Sequence, residues 1–466
     1  MSERKEEVSD GYSTKFAVFY SFGQLSDVIG YQMFVFLIFT FYYAVVGLNI
    51  NLITIGFIIW SVWNAINDPL IGTLSDRTNT RWGRRKPYVL IAFIPYGIIT
   101  VLLWTPPIDA EIFTFIYFII TILLFDTIYT SYSMGQASMF PEIFKNEEER
   151  TKANNIRQIF TIIGLIVAFV MPTFFVPKLD SPKYFLNYRY AGMFAAFLII
   201  IFGLIFIKFG TKITAEFTED YKTAPPFFKS LKTSLKNKSF RWYVIIHFTN
   251  WYVYSMLPTI FPLYGSFVLG IKEGESILIG LLLALTFISA VFFMLIWRTI
   301  GLKFGVKKGI MISQTVFILA LLPYMWISSF TEALLVSFLV GLGLAGSLLY
   351  LDILIASVMD EDELNTGVRR SGGIYGISTF ILRYASIFMI LSISLVFNSV
   401  GWAVFNPKGA SQETIFGLRL LMFAFPATAL FIGILATIKF PISKDRYIEI
   451  KKNLEKLHQE KRERKV

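Results

Sequence analysis

The feature that most constrains this chain is a succession of apolar segments, each long enough to cross a bilayer. A transmembrane helix needs about 20 consecutive, mainly apolar residues. Of the 466 residues, 55% are hydrophobic and only 16% are charged. We therefore predict an all-α membrane protein with twelve transmembrane helices, at residues 16–46, 52–75, 88–104, 111–141, 155–176, 189–208, 241–270, 276–298, 309–328, 332–358, 372–398 and 414–440.

Basic residues are concentrated in the connections on one side of the predicted membrane, notably at 76–86 and 298–308. The connections on the other side, such as 47–51 and 105–111, carry little positive charge. Cytoplasmic loops have an excess of Lys and Arg, so the basic side is predicted to be cytoplasmic, with both termini there and the chain in the plasma membrane. The net charge of +11 then reflects topology and anionic headgroups, and no nucleic-acid partner is expected.

The longest interior connection divides the chain into two halves. A pattern of basic, aromatic, Gly, any, basic, basic recurs after the second and eighth spans, at 81–86 and 303–308. This echo favours two pseudo-symmetric six-helix bundles built as parallel repeats. The predicted divisions are an N-terminal bundle at 1–208, a cytoplasmic linker at 209–240, a C-terminal bundle at 241–440 and an amphipathic cytoplasmic tail at 441–466.

Composition excludes several classes of site. The chain has no cysteine and only two histidines, His247 and His458, so no disulfide, thiol chemistry or His-rich metal site is expected. No G-x-x-x-x-G-K-[ST] motif occurs, which argues against an ATP-driven pump. No nucleophile–base pair is evident, so neither an enzyme nor a cofactor is predicted. The N-terminus lacks a signal-peptide pattern, and the first span is expected to act as an uncleaved insertion signal.

A carboxylate within the second span, Asp68, is the first candidate for function. An ionisable group inside a membrane span is costly and marks a functional site by default. Pro69 frees a backbone carbonyl one turn upstream, and Asn64 lies one turn earlier on the same face with an amide oxygen to offer. We predict that Asp68 takes a proton or ligates a small cation; the alternative is a structural Asp bonded to neighbouring helices.

A second carboxylate, Asp27, lies early in the first span. An unpaired carboxylate here is a natural acceptor for sugar hydroxyls, and the alternative is an ion pair with a basic residue of another span. The fourth span adds a charged residue, placed near its outer third where water reaches, and hydroxyls that either contact substrate or only join helices. These residues are Asp126, Tyr129, Thr130 and Ser133.

Two arginines occupy positions where apolar residues are expected. Arg157 opens the fifth span, and Arg383 lies well inside the eleventh. An arginine at depth pairs with a carboxylate or binds substrate oxygens through its planar fork. Arg383 is predicted to serve one of Asp27, Asp68 and Asp126 across the interface between the halves. Arg157 either contacts substrate or anchors the cytoplasmic end of its span.

Charged residues on the basic side form a candidate gate. The acidic run 360–363 follows the tenth span and is interpreted as a gate or latch, or simply as a solvated loop. Asp352, late in the same span, is expected to cap its cytoplasmic end. The remaining candidate gate residues are Asp76, Arg77, Arg84 and Arg369.

Residues 68–88, DPLIGTLSDRTNTRWGRRKPY, resemble the signature of the glycoside–pentoside–hexuronide:cation symporters of the major facilitator superfamily. Residues 20–31, 140–158 and 360–376 also match segments of that family. The resemblance implies the major facilitator fold and cation-coupled symport of a sugar or glycoside by alternating access. It implies no particular sugar, and the protein is expected to function as a monomer.

The resemblance also assigns roles. It implies that Asp68 is the cation-coupling carboxylate, that Asp27 contacts sugar, and that Arg157 matches a basic residue of the sugar site. Thr130 matches a hydroxyl near the cation site, and Arg383 matches a lysine.

Three departures from the family pattern bear on the coupling ion. Asn64 stands where sodium-using relatives often have Asp, Ser133 stands where a second sugar-site Asp falls, and Ala137 replaces a Trp. A sodium ion prefers several oxygens and compensating charge, whereas a proton needs only Asp68. Proton coupling is therefore predicted over sodium coupling, with Asp126 as a candidate replacement for the missing carboxylate.

Two other functions stay open at this stage. Some relatives of the family carry lysophospholipids, which would require an apolar cleft open to the bilayer. A non-transporting membrane sugar sensor would have the same spans but would not need a buried carboxylate at position 68.

Overall fold

The computed structural model describes residues 14–78, 80, 82–83, 85–144, 147–211, 234–367, 371–406 and 410–463. The described elements of the fold are helical. The helices of the first half are α1 (Thr14–Thr40, continued by a π-helical turn at Phe41–Val45), α2 (Ile50–Arg77), α3 (Lys86–Leu102), α4 (Glu111–Ile143), α5 (Glu147–Phe175) and α6 (Phe185–Phe209). Those that follow are α7 (Lys238–Phe267), α8 (Ile277–Phe304), α9 (Val306–Leu321), α10 (Phe330–Thr366), α11 (Ser371–Leu382), α12 (Ala385–Ser399), α13 (Gln412–Met422), α14 (Ala424–Lys439) and α15 (Lys444–Glu463).

The helices fit the twelve predicted spans. Ten described helical segments are long and apolar enough to cross a membrane, counting α11 with α12 and α13 with α14 as one span each. The other two spans are α3, an apolar helix of 17 residues, and α7, a longer helix of 30 residues. Large apolar side chains face outward, as with Ile91 at 74% and Phe174 at 70% exposure. The predicted all-α membrane protein is confirmed.

Local signals explain where several helices begin and end. Asn49 accepts a hydrogen bond from the backbone N–H of Asn51 and so caps α2. Ser329 and Glu332 form a capping box at the start of α10. Gly305, at φ 84°, separates α8 from α9 because its backbone conformation suits only glycine. These short-range features set the lengths of the spans.

The eleventh span is broken at its charged residue. α11 ends at Leu382 and α12 begins at Ala385, and the N–H of Tyr384 bonds to the carbonyl of Ile381 at 3.2 Å in a tight turn. Arg383 occupies this break. Discontinuous membrane helices are typical of binding sites near the midplane, since they free polar groups there.

The two halves pack internally and meet along a limited set of helices. In the first half, α1 packs against α5 and α6, α3 against α4 and α6, and α2 against α4. In the second half, α10 packs against α8 and α9, and α14 against α7 and α9. The halves touch through α1 with α7, α5 with α8, and α2 with α11 and α12. Gly280 permits the α5–α8 crossing, because a Cβ there would lie 2.5 Å from the carbonyl oxygen of Phe169.

Polar contacts join the halves on the side opposite the basic loops. The side-chain amide of Asn398 donates to Oδ1 of Asn51 at 2.9 Å, which links α12 to α2. Lys183 forms an ion pair with Glu273 at 2.8 Å, which links the α5–α6 connection to the α7–α8 connection. We refer to these two contacts as the clasp. The molecule is therefore held closed at this end.

The segment after the last span forms α15, which lies against the end of α10. Ile450 is fully buried, and Lys451 pairs with Asp360 at 2.6 Å. His458 bonds to Glu363 at 2.9 Å. The interpretation of residues 360–363 as a solvated loop is wrong, since they continue α10, and Asp360 and Glu363 are buried beneath α15.

Some predicted features lie outside the described residues. Most of the predicted linker, 212–233, belongs to this part of the chain, and so do Arg84 and Arg369. The backbone at Asp76 and Arg77 lies in α2, but their side chains are not described. The roles assigned to these four gate residues stay predictions.

Candidate substrate and cation site

An ion pair between the two halves lies at the centre of the candidate site. Oδ2 of Asp68 accepts hydrogen bonds from Nε of Arg383 at 3.0 Å and from Nη2 at 2.7 Å. The hydroxyl of Thr130 donates to Oδ1 at 3.2 Å. The side chains are only 14% and 17% exposed, respectively, for the aspartate and the arginine. Of the three carboxylates considered for Arg383, the structure selects Asp68.

An amide oxygen lies one turn away from this pair without a partner. Asn64 is 2% exposed, and its Oδ1 makes no hydrogen bond among the described residues. Buried polar atoms are nearly always bonded, so this oxygen is available to a bound species. No group of three or more His, Cys, Asp or Glu side chains suited to a metal ion occurs within the part of the chain that is described.

The position of Asp126 differs from the prediction. It was expected near the outer third of its span, within reach of water, but it is 2% exposed. Trp60 Nε1 donates to its Oδ1 at 3.2 Å, and Asn67 Nδ2 donates to its Oδ2 at 3.0 Å. Both carboxylate oxygens of Asp126 thus accept hydrogen bonds from uncharged side chains of α2, the helix that also carries Asp68. These bonds hold α4 against α2. In this state Asp126 is not positioned to bind substrate directly.

The structure brings most of the predicted sugar-site residues of the first half together. Gln24 donates weakly to Asp27 at 3.4 Å. The hydroxyls of Ser133 and Tyr129 and the guanidinium of Arg157 lie near the Asp27 carboxylate and favour its charged form. Its Oδ1 is buried and has no hydrogen-bond partner among the described residues. Asp27 thus lies among polar side chains, and its Oδ1 can still accept a hydrogen bond from a ligand.

Aromatic rings complete the wall of the first half. Tyr129 stacks on Tyr31, with ring centroids 4.6 Å apart and planes 16° apart. The guanidinium of Arg157 lies over the ring of Phe140 at 4.4 Å. No ion pair joins Arg157 to a carboxylate within the described ranges, so the proposed alternative of a charge pair with Asp27 is not seen. The guanidinium keeps donors free for a ligand.

The second half contributes a second wall of the site, whose residues the sequence alone did not bring together. A cavity of about 230 Å³ lies next to Arg383 between α7, α10 and α11. Asp352 lines this cavity. Its predicted role as a cap of the tenth span is wrong, because α10 continues past it to Thr366. The other polar or aromatic residues of this wall are His247, Trp251, Tyr254, Tyr375, Ser378 and Thr379.

Sequence signals existed for some of the missed residues. Asn67 lies between Asn64 and Asp68 in α2, and a third polar residue on one membrane helix was a visible cue. Asp352 carries a charge within an apolar span, which by itself marks a functional site, so interpreting it only as a helix cap gave this signal too little weight. Trp60 gave no such cue, because most aromatic residues of membrane spans are interfacial anchors or part of the packing.

The arrangement can be compared with solved structures. The structure of a D-xylose–proton symporter superposes with a TM-score of 0.65 at 13% identity, covering 92% of this chain and 97% of that one. The two proteins therefore share their overall fold. The chain belongs to the MFS/sugar transport protein family, whose model matches residues 19–444, and it is therefore a multi-pass membrane transporter of the major facilitator fold rather than an enzyme. The family resemblance seen in the sequence is confirmed.

Relatives in this family align over most of their length. An uncharacterized symporter of Synechocystis is 24% identical, over 95% of this chain and 96% of that protein. An isoprimeverose transporter of Lactiplantibacillus pentosus is 23% identical, over 74% and 71%. A sodium-dependent lysophosphatidylcholine symporter of Gallus gallus is 22% identical, over 85% and 81%. Sugar and lipid carriers are thus both represented among similar chains.

Proposed function

We propose that this protein is a secondary active transporter that couples the movement of a sugar or glycoside to that of a proton. The observation that carries this proposal is the ion pair between Asp68 and Arg383, which joins the halves next to a polar cavity. Relatives named as symporters and as an isoprimeverose transporter support sugar as the substrate class.

The inter-half position of the pair supplies a coupling mechanism. Asp68 belongs to α2 and Arg383 to the α11–α12 break, so rocking of the halves that separates these elements breaks the pair. A carboxylate left without a partner in a low-dielectric site is costly, and taking up a proton removes its charge. Protonation of Asp68 therefore releases Arg383 and lets the loaded carrier reorient.

The same geometry favours a proton over a sodium ion. A sodium ion at Asp68 would lie close to the guanidinium that contacts Oδ2 at 2.7 Å, and two cations at this separation repel each other strongly. Thr130 and Asn64 could supply oxygens, but a single carboxylate would have to compensate both charges. A proton neutralises that carboxylate by forming a covalent O–H bond and needs no further ligands.

The sugar is proposed to lie between the two walls. On the first half, Asp27 accepts hydrogen bonds from hydroxyls and Arg157 donates to oxygens, while Tyr129 and Ser133 line the same site. On the second half, Asp352 offers an open carboxylate and Trp251 a ring face for stacking. Binding that bridges the walls draws the halves together, which is how a substrate promotes reorientation in alternating access.

Topology follows from the distribution of charge. We propose that the basic side faces the cytoplasm, that both termini lie there and that the protein resides in the plasma membrane as a functional monomer. The clasp then closes the external end, and the described state is closed to the outside.

The competing substrate class is an amphiphile such as a lysophospholipid. The polar character of both walls, with two carboxylates and two arginines, favours a polyhydroxylated substrate. The deciding experiment is counterflow of labelled sugars in proteoliposomes, followed by uphill uptake in sodium-free buffer with an imposed pH gradient. Exchange of sugar with proton-driven accumulation is expected. Strict dependence on sodium contradicts proton coupling, exchange of lysophospholipid alone contradicts sugar transport, and binding without exchange indicates a sensor.

A further inference from the structure

A groove at the basic end of the second half combines an apolar wall with a basic rim. It lies between the α8–α9 turn, α10 and the start of α15, and its volume is about 560 Å³. Leu302 and Ile448, two of its lining residues, are 71% and 57% exposed. The described residues that line it include Arg298, Lys307 and Lys444 but no Asp or Glu.

Arg298 faces outward on a surface that is otherwise apolar. Residues three and four positions apart share a helix face, so Arg298 lies on the face of Leu295 and Leu302, which are 67% and 71% exposed. It precedes the end of α8 at Phe304 by six residues, or about 9 Å. Its guanidinium has no hydrogen bond or ion pair with any described residue. A charge at this depth on a membrane-facing surface calls for an anion.

Two lysines fix further positive charge at the rim. Nζ of Lys307 donates to the carbonyl oxygens of Ile438 and Phe440 at 3.0 and 2.6 Å. Nζ of Lys444 donates to that of Leu302 at 3.2 Å. These bonds hold both ammonium groups in place, and no carboxylate of the described residues pairs with either of them. Each ammonium has three N–H groups, so donor capacity remains for a ligand.

We propose that this groove binds one anionic phospholipid from the membrane leaflet on the basic side. The phosphate group contacts Lys444 and the guanidinium of Arg298, and one acyl chain runs from there along Ile353 and the outward face of α8 toward Leu295. Charge complementarity selects the occupant, because a zwitterionic lipid fills the apolar wall equally well but leaves the net positive charge of the rim unbalanced. The site is independent of the transported substrate.

The test uses the full-length protein, delipidated in detergent and titrated with phosphatidylglycerol or phosphatidylcholine of the same chains, with bound lipid counted by native mass spectrometry. The first bound phosphatidylglycerol is expected to be favoured by about 25-fold, since each of the two contacting basic residues contributes about fivefold. Arg298→Gln is expected to reduce this preference about fivefold. Lys208→Gln, which removes an exposed charge from the basic end of α6, is the matched control and should leave it unchanged.

A second variant tests the apolar wall. Ile353→Trp fills the groove without changing its charge and is expected to weaken binding of both lipids, while the melting temperature without lipid shows whether the variant is folded. For wild type, phosphatidylglycerol should raise the melting temperature more than phosphatidylcholine does, and Arg298→Gln should make that difference smaller. The proposal is overturned if the two lipids bind equally, or if Arg298→Gln and Lys208→Gln have the same lipid preference. Arg298 would then be a side chain whose guanidinium extends to water at the membrane surface.

Discussion

Asp68 and Arg383 are 315 positions apart in the chain, yet their side chains form an ion pair at 2.7 Å that joins the two halves of the protein. The carboxylate also accepts a hydrogen bond from Thr130 of its own half. The Asp68 side chain therefore belongs both to the candidate cation site and to the interface between the halves. This connection gives the proposed symport a physical basis.

Replacing Asp68 tests coupling directly. Asp68→Asn removes the group that exchanges a proton but keeps the shape of the side chain. Uphill accumulation is expected to fall to equilibrium, an inside-to-outside ratio of about one, because the pH gradient can no longer act on this position. Sugar counterflow should survive at least in part. The control is Asp109→Asn, an exposed residue of the opposite side; undiminished accumulation by Asp68→Asn contradicts the assignment.

Removing one partner of the pair should cost more stability than removing both. Arg383→Gln leaves a carboxylate without its cation and is expected to lower the free energy of unfolding by at most about 3 kcal/mol, since the pair keeps some contact with solvent. The double variant Asp68→Asn, Arg383→Gln should recover most of this loss. Denaturation of the purified single and double variants measures the coupling. Additive losses would mean that the pair contributes little in solution.

Asp126 is expected to support the site rather than to bind sugar. Asp126→Asn can keep both side-chain contacts, because Oδ1 of Asn67 has no partner among the described residues and the amide can rotate to accept, although rotation breaks the 3.2 Å bond from Asn67 Nδ2 to the backbone carbonyl of Asp126. Stability should fall by no more than about 1 kcal/mol, whereas Asp126→Leu should lose about 1–3 kcal/mol by leaving Asn67 and Trp60 unsatisfied. Transport assays should show a lower maximal rate for Asp126→Asn at an unchanged KM for sugar. A large rise in KM would instead favour direct contact with substrate.

Asp352 is predicted to contact the substrate from the second half. Its carboxylate lines the cavity, and Asp352→Asn exchanges a charged acceptor for a neutral one. The expected result is a five- to tenfold rise in the KM for sugar, the effect of about 1–1.4 kcal/mol, with accumulation at saturating sugar retained. A loss of accumulation without a change in KM would place Asp352 in coupling instead.

The clasp opposite the basic side should depend on pH. The Lys183 ammonium and the Tyr184 hydroxyl bond to Glu273 and lower the pKa of its carboxyl below 4.5, while the bond to Glu273 raises the pKa of Lys183 above 10.5. The depressed carboxyl pKa means that this contact stabilises the closed end above pH 4.5 and is lost as the pH falls through the folded-state value. The raised lysine pKa means that the contact is lost again above pH 10.5.

The pH dependence of the clasp can be measured as a distance across the closed end of the molecule. Spin labels placed on the α5–α6 and α7–α8 connections should report a larger open fraction on acidification below pH 4.5. Glu273→Gln should raise the open fraction at neutral pH and remove the acid response of this contact. Glu148→Gln, which removes an exposed ion pair with Lys152 on the basic side, is the control. An acid response that persists in Glu273→Gln would exclude this ion pair as its origin.

Much of the architecture could be predicted from the sequence. In a bilayer each span must satisfy its own backbone hydrogen bonds and present apolar side chains to lipid. Both requirements are local, so the span positions and the charged candidates Asp68 and Arg383 could be read from runs of residues. The cost of burying an isolated charge also explains why these two residues could be singled out one at a time.

Only the tertiary structure decided which of these groups meet. It paired Arg383 with Asp68, buried Asp126 beneath Trp60 and Asn67, and turned Asp352 toward a cavity. Lipid and protein interior are both apolar, so the pattern of hydrophobic residues does not tell which face of a membrane helix points inward. The partner of a polar side chain then depends on how distant helices rotate and cross, and that is fixed by packing of the whole bundle.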